Sequence, residues 1–338
     1  MHDKPLHVAD VGEQGLLRRL LRFCDGAVVG DDAAVLSMTP GRSLVVTEDM
    51  LVDGVHFSVG LANPAALTTS YADAGWRAVA ANLSDLAAMG ATPLGITVGL
   101  GVPAQMPVSG VEALYEGMVA CLQTAGAAIV GGDVCRSDTL TVAIAAFGEV
   151  IPSQVVRRAS AQPGDAILVT GVHGASRAGL ELLLQPDCGK TLSESDRALL
   201  IRAHQRPMPR LDVVQLWRQH YPDARVPAGM DSSDGLADAI LQICRASGVG
   251  AQVWGDRLPM PAVFPSWLTP EVALDWTLYG GEDFELVLCL PKESADALQM
   301  HLPSAALVGE VVAGDAVRLV DAHGDETTLS MARGFQHF

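Results

Sequence analysis

Short apolar runs that break off at acidic turns recur along the whole chain, and they constrain the fold more than any other feature. Ala27-Val28-Val29 runs into Gly30-Asp31-Asp32, Leu44-Val45-Val46 into Thr47-Glu48-Asp49, and Ala128-Ile129-Val130 into Gly131-Gly132-Asp133. Such runs read as buried strands whose ends carry polar groups. Between them lie segments of helical period. Leu16, Leu17, Leu20 and Leu21 predict an amphipathic helix over 12–23, and Trp76, Val79, Ala80, Leu83, Leu86 and Ala87 predict a long helix over 69–89. A third helix is expected over 109–125, with strands over 94–100 and 140–150.

The stretch from Val156 to Gly164 lacks periodicity and contains Pro163-Gly164, a natural domain boundary. Beyond it a strand over 166–169 leads to a glycine-rich turn and helix over 171–184. Helices are expected over 193–205, 209–220, 234–246 and 292–301, and strands over 284–290, 305–312 and 317–320. Strands alternating with helices in both halves give an α/β (α+β) chain. With 338 residues, two domains of ordinary size are expected, 1–155 and 156–338.

Composition removes several classes. Lys plus Arg number 22 and Asp plus Glu 39, a net charge of −17. A chain this acidic is a poor partner for nucleic acid or an anionic membrane surface. The six cysteines show no C-x-x-C spacing, and most lie in apolar runs, as reduced thiols do. The first residues carry no apolar signal-peptide core, and no run of about 18 apolar residues suggests a membrane span. A cytoplasmic location is expected.

The acidic turns carry the chemistry. They are Gly30-Asp31-Asp32, Glu48-Asp49, Ser84-Asp85, Gly132-Asp133, Asp231-Ser232-Ser233-Asp234 and Gly281-Glu282-Asp283. Carboxylates converging on one cleft repel and need cations, and oxygen donors select Mg²⁺ or Ca²⁺ over zinc. Mg²⁺ takes one or two carboxylates and completes its shell with water and substrate phosphates, which points to phosphoryl transfer. Taken singly, each turn also reads as a helix cap or an Asx turn. Asp231, Ser232 or Ser233 before the helix at 234 fits a cap as well as a ligand.

Two segments imitate other motifs. Gly189-Lys190-Thr191 resembles the end of a phosphate loop, but Leu184 stands where its first glycine belongs. Gly171-Val172-His173-Gly174 follows a strand and opens a helix without G-x-G-x-x-G spacing, so its glycines read mainly as close packing and secondarily as an anion nest. No serine-nucleophile elbow and no paired histidine motif is present.

Read in order, the acidic strings resemble those of the thiamine-monophosphate kinases, within the ATP-dependent superfamily of aminoimidazole ribonucleotide synthetase and selenophosphate synthetase. The likeness spans nearly the whole chain. Its specific strings are Val52-Asp53-Gly54-Val55-His56-Phe57, Asn82-Leu83-Ser84-Asp85-Leu86-Ala87-Ala88-Met89-Gly90 and Gly281-Glu282-Asp283-Phe284-Glu285-Leu286.

The resemblance implies an N-terminal mixed sheet with flanking helices that pairs in a homodimer, and a C-terminal α+β sandwich that closes the active site. It implies ATP and thiamine monophosphate as substrates and several Mg²⁺ ions. It assigns Asp32, Thr47, Glu48, Asp49, Asp85, Asp133, Asp231 and Asp234 to metal, and Gly132, Asp133, Arg158 and Ser233 to ATP. His56, Glu282 and Phe335 go to the thiamine phosphate. No general base is implied, because the acceptor is already an anionic phosphate oxygen. Two positions depart from the family pattern: Glu48 replaces a small hydroxyl residue, and Met331-Ala332-Arg333 lacks a tryptophan. Rival readings are another member of the superfamily with a different acceptor, a catalytically silent metal or nucleotide binder, and a dinucleotide-dependent oxidoreductase.

Overall fold

The computed structural model describes residues 5–29, 31–221 and 225–333, which form two compact units. The first holds residues 1–86 and 91–152. The second holds 153–338 together with the short segment 87–90. The chain therefore changes unit between 152 and 153, and it also lends the end of one helix to the second unit.

The first unit runs α1 (Val8–Leu20), β1 (Ser43–Val52), α2 (Tyr71–Ala88), β2 (Thr92–Val102), α3 (Val108–Ala125), β3 (Ile129–Arg136) and β4 (Thr141–Val150). Its sheet has the order β1-β4-β2-β3, with β3 parallel to β2 and the other pairs antiparallel. One face is apolar and buried through Val98, Leu100, Val142, Ile144 and Ala146. Leu86 of α2 lies against this face at Gly148, where an added Cβ would sit 3.1 Å from its side chain. Helices α2 and α3 cross in near backbone contact. A Cβ at Gly75 would fall 1.9 Å from the Leu114 carbonyl oxygen, and one at Gly117 1.8 Å from that of Ala72.

Three expectations change here. Residues 27–29 form a turn rather than a strand. The Asp25 carboxylate accepts from Ala27 N at 2.9 Å, and the Asp25 carbonyl accepts from Val28 N and Val29 N, so local bonds replace a ladder. Strand β1 does not stop at Thr47 but continues to Val52, with Asp49 opposite Ile144. Strand β3 likewise passes through Gly131-Gly132-Asp133 to Arg136. Backbone pairing does not require apolar side chains, so a polar triplet interrupts the hydropathy and leaves the strand intact.

The second unit runs β5 (Asp165–Val169), α4 (Ala175–Leu184), α5 (Glu194–Gln205), α6 (Leu211–His220), β6 (Ala228–Asp231), α7 (Leu236–Ser247), β7 (Gly250–Trp254), α8 (Phe264–Trp267), α9 (Pro270–Tyr279), β8 (Leu286–Pro291), α10 (Lys292–Gln299), β9 (Ala306–Val312), β10 (Val317–Val320) and β11 (Glu326–Thr328). Its seven-stranded sheet has the order β11-β10-β7-β9-β5-β8-β6. One apolar cluster gathers α7 with Ile167, Val169, Val287 and Cys289. Another gathers α6 and α10 with Leu168, Leu286, Leu288 and Leu290. The central strands β5 and β8 contribute to both clusters, so past Asp165 they run apolar through successive positions rather than alternating.

Candidate active site

In the first unit, strand alternation decides where each carboxylate points. Successive side chains on a strand leave on opposite faces. Thr47 pairs with Ala146 and Asp49 with Ile144, so both lie on the helix-covered face. On that face the Thr47 hydroxyl donates to the Asp85 carboxylate, which α2 carries one residue beyond the buried Ser84. The adjacent Asn82 is fully buried, donates to the Ala78 carbonyl at 2.9 Å, and leaves its Oδ1 without a hydrogen bond. Glu48 pairs with Ala145 and leaves on the other face, among the exposed Leu44, Val46 and Met50.

Asp133 shares that second face, since it is in register with Gly99, which pairs with Ala143 opposite Met50. There a cavity of about 630 Å³ is lined by Asp31, Asp32, Gly131, Gly132 and Asp133, with Leu44, Thr97, Tyr115 and Phe147 around them. A Cβ at Gly132 would lie 2.2 Å from the Val98 carbonyl oxygen, so only glycine lets the strands approach at this wall. The sequence-assigned ligands of this unit thus form two groups: Thr47, Asp49 and Asp85 on one face, and Asp32 and Asp133 in the cavity on the other. His56 stands apart in the turn after β1. Its Nδ1 accepts from Val52 N at 3.1 Å, and its carbonyl accepts from the buried Arg77.

In the second unit, Asp231 ends β6 as a buried residue, opposite Leu286 of β8. Asp234 is exposed, and the Ser233 hydroxyl lies 3.4 Å from Asp231 Oδ1. The capping alternative fails here. The N-cap of α7 is Gly235, and no side chain caps the helix. Arg158 extends from a short 3₁₀ turn and donates to Gln242 Oε1 at 2.6 Å. Phe335 lies outside the described residues.

The segment 280–286 is irregular, and the sequence reading gave a role to only one of its members, Glu282. Glu282 and Phe284 have φ of 58° and 52°, and they are the non-glycine residues with positive φ among those described. This delays β8 to Leu286, two residues later than the apolar pattern suggests. Glu282 N donates to Ser233 O at 2.7 Å, and a Cβ at Gly281 would come within 2.9 Å of the same oxygen. Asp283 accepts from Gly174 N at 2.7 Å and Ser176 N at 2.8 Å, at the start of α4. The anion at the Gly171–Gly174 turn is therefore the protein's own carboxylate. Burial pushes the Asp283 carboxyl up to about 7, and the two amides oppose that rise. Burial also raises Glu285, which Arg210 counters from 2.6 Å.

His173 is fully buried between Gly171 O and Ser232 Oγ, each at 3.0 Å, and burial lowers its pKa to about 4. The sequence signals for Asp283 and His173 were present as residues, but nothing in their spacing distinguished them from neighbouring acids or from a packing histidine.

The donors suit Mg²⁺. In the first unit they are carboxylate and hydroxyl oxygens, without histidine or cysteine, and a hard cation prefers that set. Among the described residues no three His, Cys, Asp or Glu side chains are gathered into a cage. A metal that takes one or two carboxylates and fills its shell with water and phosphate oxygens needs none.

A strand-borne acidic sheet followed by a second α/β unit with an acidic strand end defines the class. Residues 30–150 match the AIR synthase related protein N-terminal domain, and residues 162–322 match the corresponding C-terminal domain. Within this class the chain belongs to the thiamine-monophosphate kinase family. It is 48% identical to the thiamine-monophosphate kinase of Synechococcus elongatus, over 100% of this chain and 99% of the relative. The crystal structure of thiamine-monophosphate kinase from Stenotrophomonas maltophilia is similar at a TM-score of 0.77 and 32% identity, covering 93% and 96% of the two chains. AaThiL complexed with AMPPCP and TMP is similar at a TM-score of 0.74 and 30% identity, covering 97% and 98%.

Proposed function

We infer that this chain is an enzyme that transfers a phosphoryl group from ATP to thiamine monophosphate, giving ADP and thiamine diphosphate. The observation that carries this reading is the full-length match to thiamine-monophosphate kinases, with the acidic strings placed on strands and strand ends. The solved relative holding AMPPCP and TMP supports the same pair of ligands.

The finer assignments are proposals. Thr47, Asp49 and Asp85 on one face of the first unit's sheet, Asp32 and Asp133 in the cavity on the other, and Asp231 and Asp234 at the end of β6 in the second unit serve as Mg²⁺ ligands. Glu48 contributes through its backbone oxygen, a role that tolerates the departure from a small hydroxyl residue. Gly132, Asp133, Arg158 and Ser233 bind ATP. Gly132 and Asp133 line the cavity together with Asp32, and a nucleotide phosphate approaches there. His56, Glu282 and Phe335 contact the acceptor.

Bound Mg²⁺ supplies charge neutralisation for the two anionic phosphates. The residues of the chain bind and align the reactants, and Arg158 offsets further negative charge. The attacking group is a phosphate oxygen that is already ionised near neutral pH, so no side chain must remove a proton. No helix among the described residues is long and apolar enough to cross a membrane, and a cytoplasmic location is part of this proposal. The exposed apolar face of β1, with Leu44, Val46 and Met50, supports a homodimer through the first unit.

A substrate screen tests the reading. ADP release should require thiamine monophosphate, and phosphorus NMR should show thiamine diphosphate as the product. Turnover with formylglycinamidine ribonucleotide or selenide in its place would move the chain to another branch of the superfamily.

A further inference from the structure

We propose that Asp283, acting with Ser176 and His204, is a positioning residue that fixes the Glu282 carboxylate for the acceptor substrate; this rests on the assignment of Glu282 to that substrate. Glu282 and Phe284 flank Asp283 and both hold left-handed backbone conformations. Such conformations persist in non-glycine residues only where the surroundings over-determine them.

The surroundings here are specific. The two carboxylate oxygens of Asp283 accept separately, Oδ2 from Gly174 N and Oδ1 from Ser176 N. The main chain of Glu282 is tied to Ser233 O. The Ser176 hydroxyl lies 3.2 Å from Nδ1 of the buried His204, and that nitrogen lies 3.9 Å from Glu282 Oε2. The contacts close a ring from Glu282 through Asp283, Ser176 and His204 back to Glu282. Helices α4 and α5, which carry Ser176 and His204, are held in backbone contact at Gly179, where a Cβ would fall 2.1 Å from Leu200 O.

The bland alternative is that Asp283 is one more metal ligand among many acids. Each of its oxygens is already engaged by a main-chain N–H, and Asp283 faces the start of α4. Its work is therefore geometric. It holds the turn so that the partly exposed Glu282 side chain stands in one place, with His204 Nδ1 3.9 Å from its carboxylate.

Steady-state kinetics and calorimetric binding of thiamine monophosphate on the full-length enzyme test this. Asp283→Asn leaves one acceptor and sets an amide NH₂ against a main-chain N–H. It should raise KM for thiamine monophosphate about tenfold, the scale of one charged hydrogen bond, and weaken its binding in parallel. KM for ATP should change less than about twofold. Should Asp283→Asn fail to fold by circular dichroism, Ser176→Ala carries the test. That variant keeps the N–H for Asp283 and removes only the hydroxyl link to His204, and it should give the same selective effect at smaller size.

Equal rises in both KM values, or a loss confined to kcat with acceptor binding unchanged, would overturn the positioning role. A wild-type enzyme without thiamine monophosphate-dependent turnover would overturn the functional reading itself, and this inference with it.

Discussion

The two acidic regions of the chain are built on opposite principles. In the first unit, Thr47, Glu48, Asp49 and Asp133 sit inside regular strands, and the period of two distributes them over both faces of one sheet. In the second unit, Asp231 ends a strand, and Glu282 stands in a loop with positive φ that is anchored to a helix start. A regular strand places donors by register alone, so a substitution changes one ligand and leaves its neighbours in position. A strained loop places donors through its anchors, so the residues that matter include ones that touch no ligand.

The largest effect that tests this contrast belongs to the first unit. Asp85→Asn keeps the hydrogen bond with Thr47 but removes a charge from the helix-covered face. It should reduce kcat by at least about 100-fold, with an unchanged circular dichroism spectrum and melting temperature. A variant with near-normal kcat would remove Asp85 from the metal-holding group.

An intermediate effect comes from the second unit and is read as stability against pH. His173 has a folded-state pKa of about 4 against an ordinary 6.5. The unfolded chain therefore takes up the proton first. This contribution is fully present above pH 6.5 and is lost as pH falls toward 4, amounting to about 3 kcal/mol. Asp283, raised from 3.8 to about 7, acts in the opposite sense: its contribution falls as pH rises through that window. Comparing His173→Gln with the wild type isolates the histidine. The stability difference between the two should shrink or reverse as pH drops from 7 to 5 in denaturant titrations. A difference that stays constant with pH would contradict the buried neutral imidazole.

The smallest effect is expected at Glu48. Glu48→Thr restores the small hydroxyl of the family pattern at a side chain that leaves the sheet away from Thr47 and Asp49. Both kcat and the Mg²⁺ requirement should stay within about twofold, as for an ordinary exposed substitution. A tenfold change would show that this side chain reaches the metal after all.

The acidic strings, the two-unit α/β organisation and most helices were legible in the sequence, because helical period and turn chemistry are local. Three features were not. Thr47-Glu48-Asp49 looked like a strand end, since hydropathy records side chains whereas the ladder is made by the backbone. Ala27-Val28-Val29 looked like a strand, since three apolar residues carry no information about the Asp25 carboxylate that folds them into a turn. The role of Asp283 was hidden because it depends on a contact across 107 to 109 positions with the start of α4. Nothing in Gly281-Glu282-Asp283 marks which acid faces a ligand and which faces a helix. The division of Glu48 from Asp49 follows from alternation alone once the strand is known to continue.

The most direct measurement of the central claim is a Mg²⁺ titration of thiamine monophosphate-dependent ADP formation, run on the wild type and on Asp49→Asn. If strand alternation sets Asp49 beside Thr47 and Asp85 as a metal ligand, the wild type shows no turnover without Mg²⁺, and the variant needs at least about tenfold more Mg²⁺ to reach half of a reduced maximum. Superimposable Mg²⁺ curves for the two proteins would contradict it.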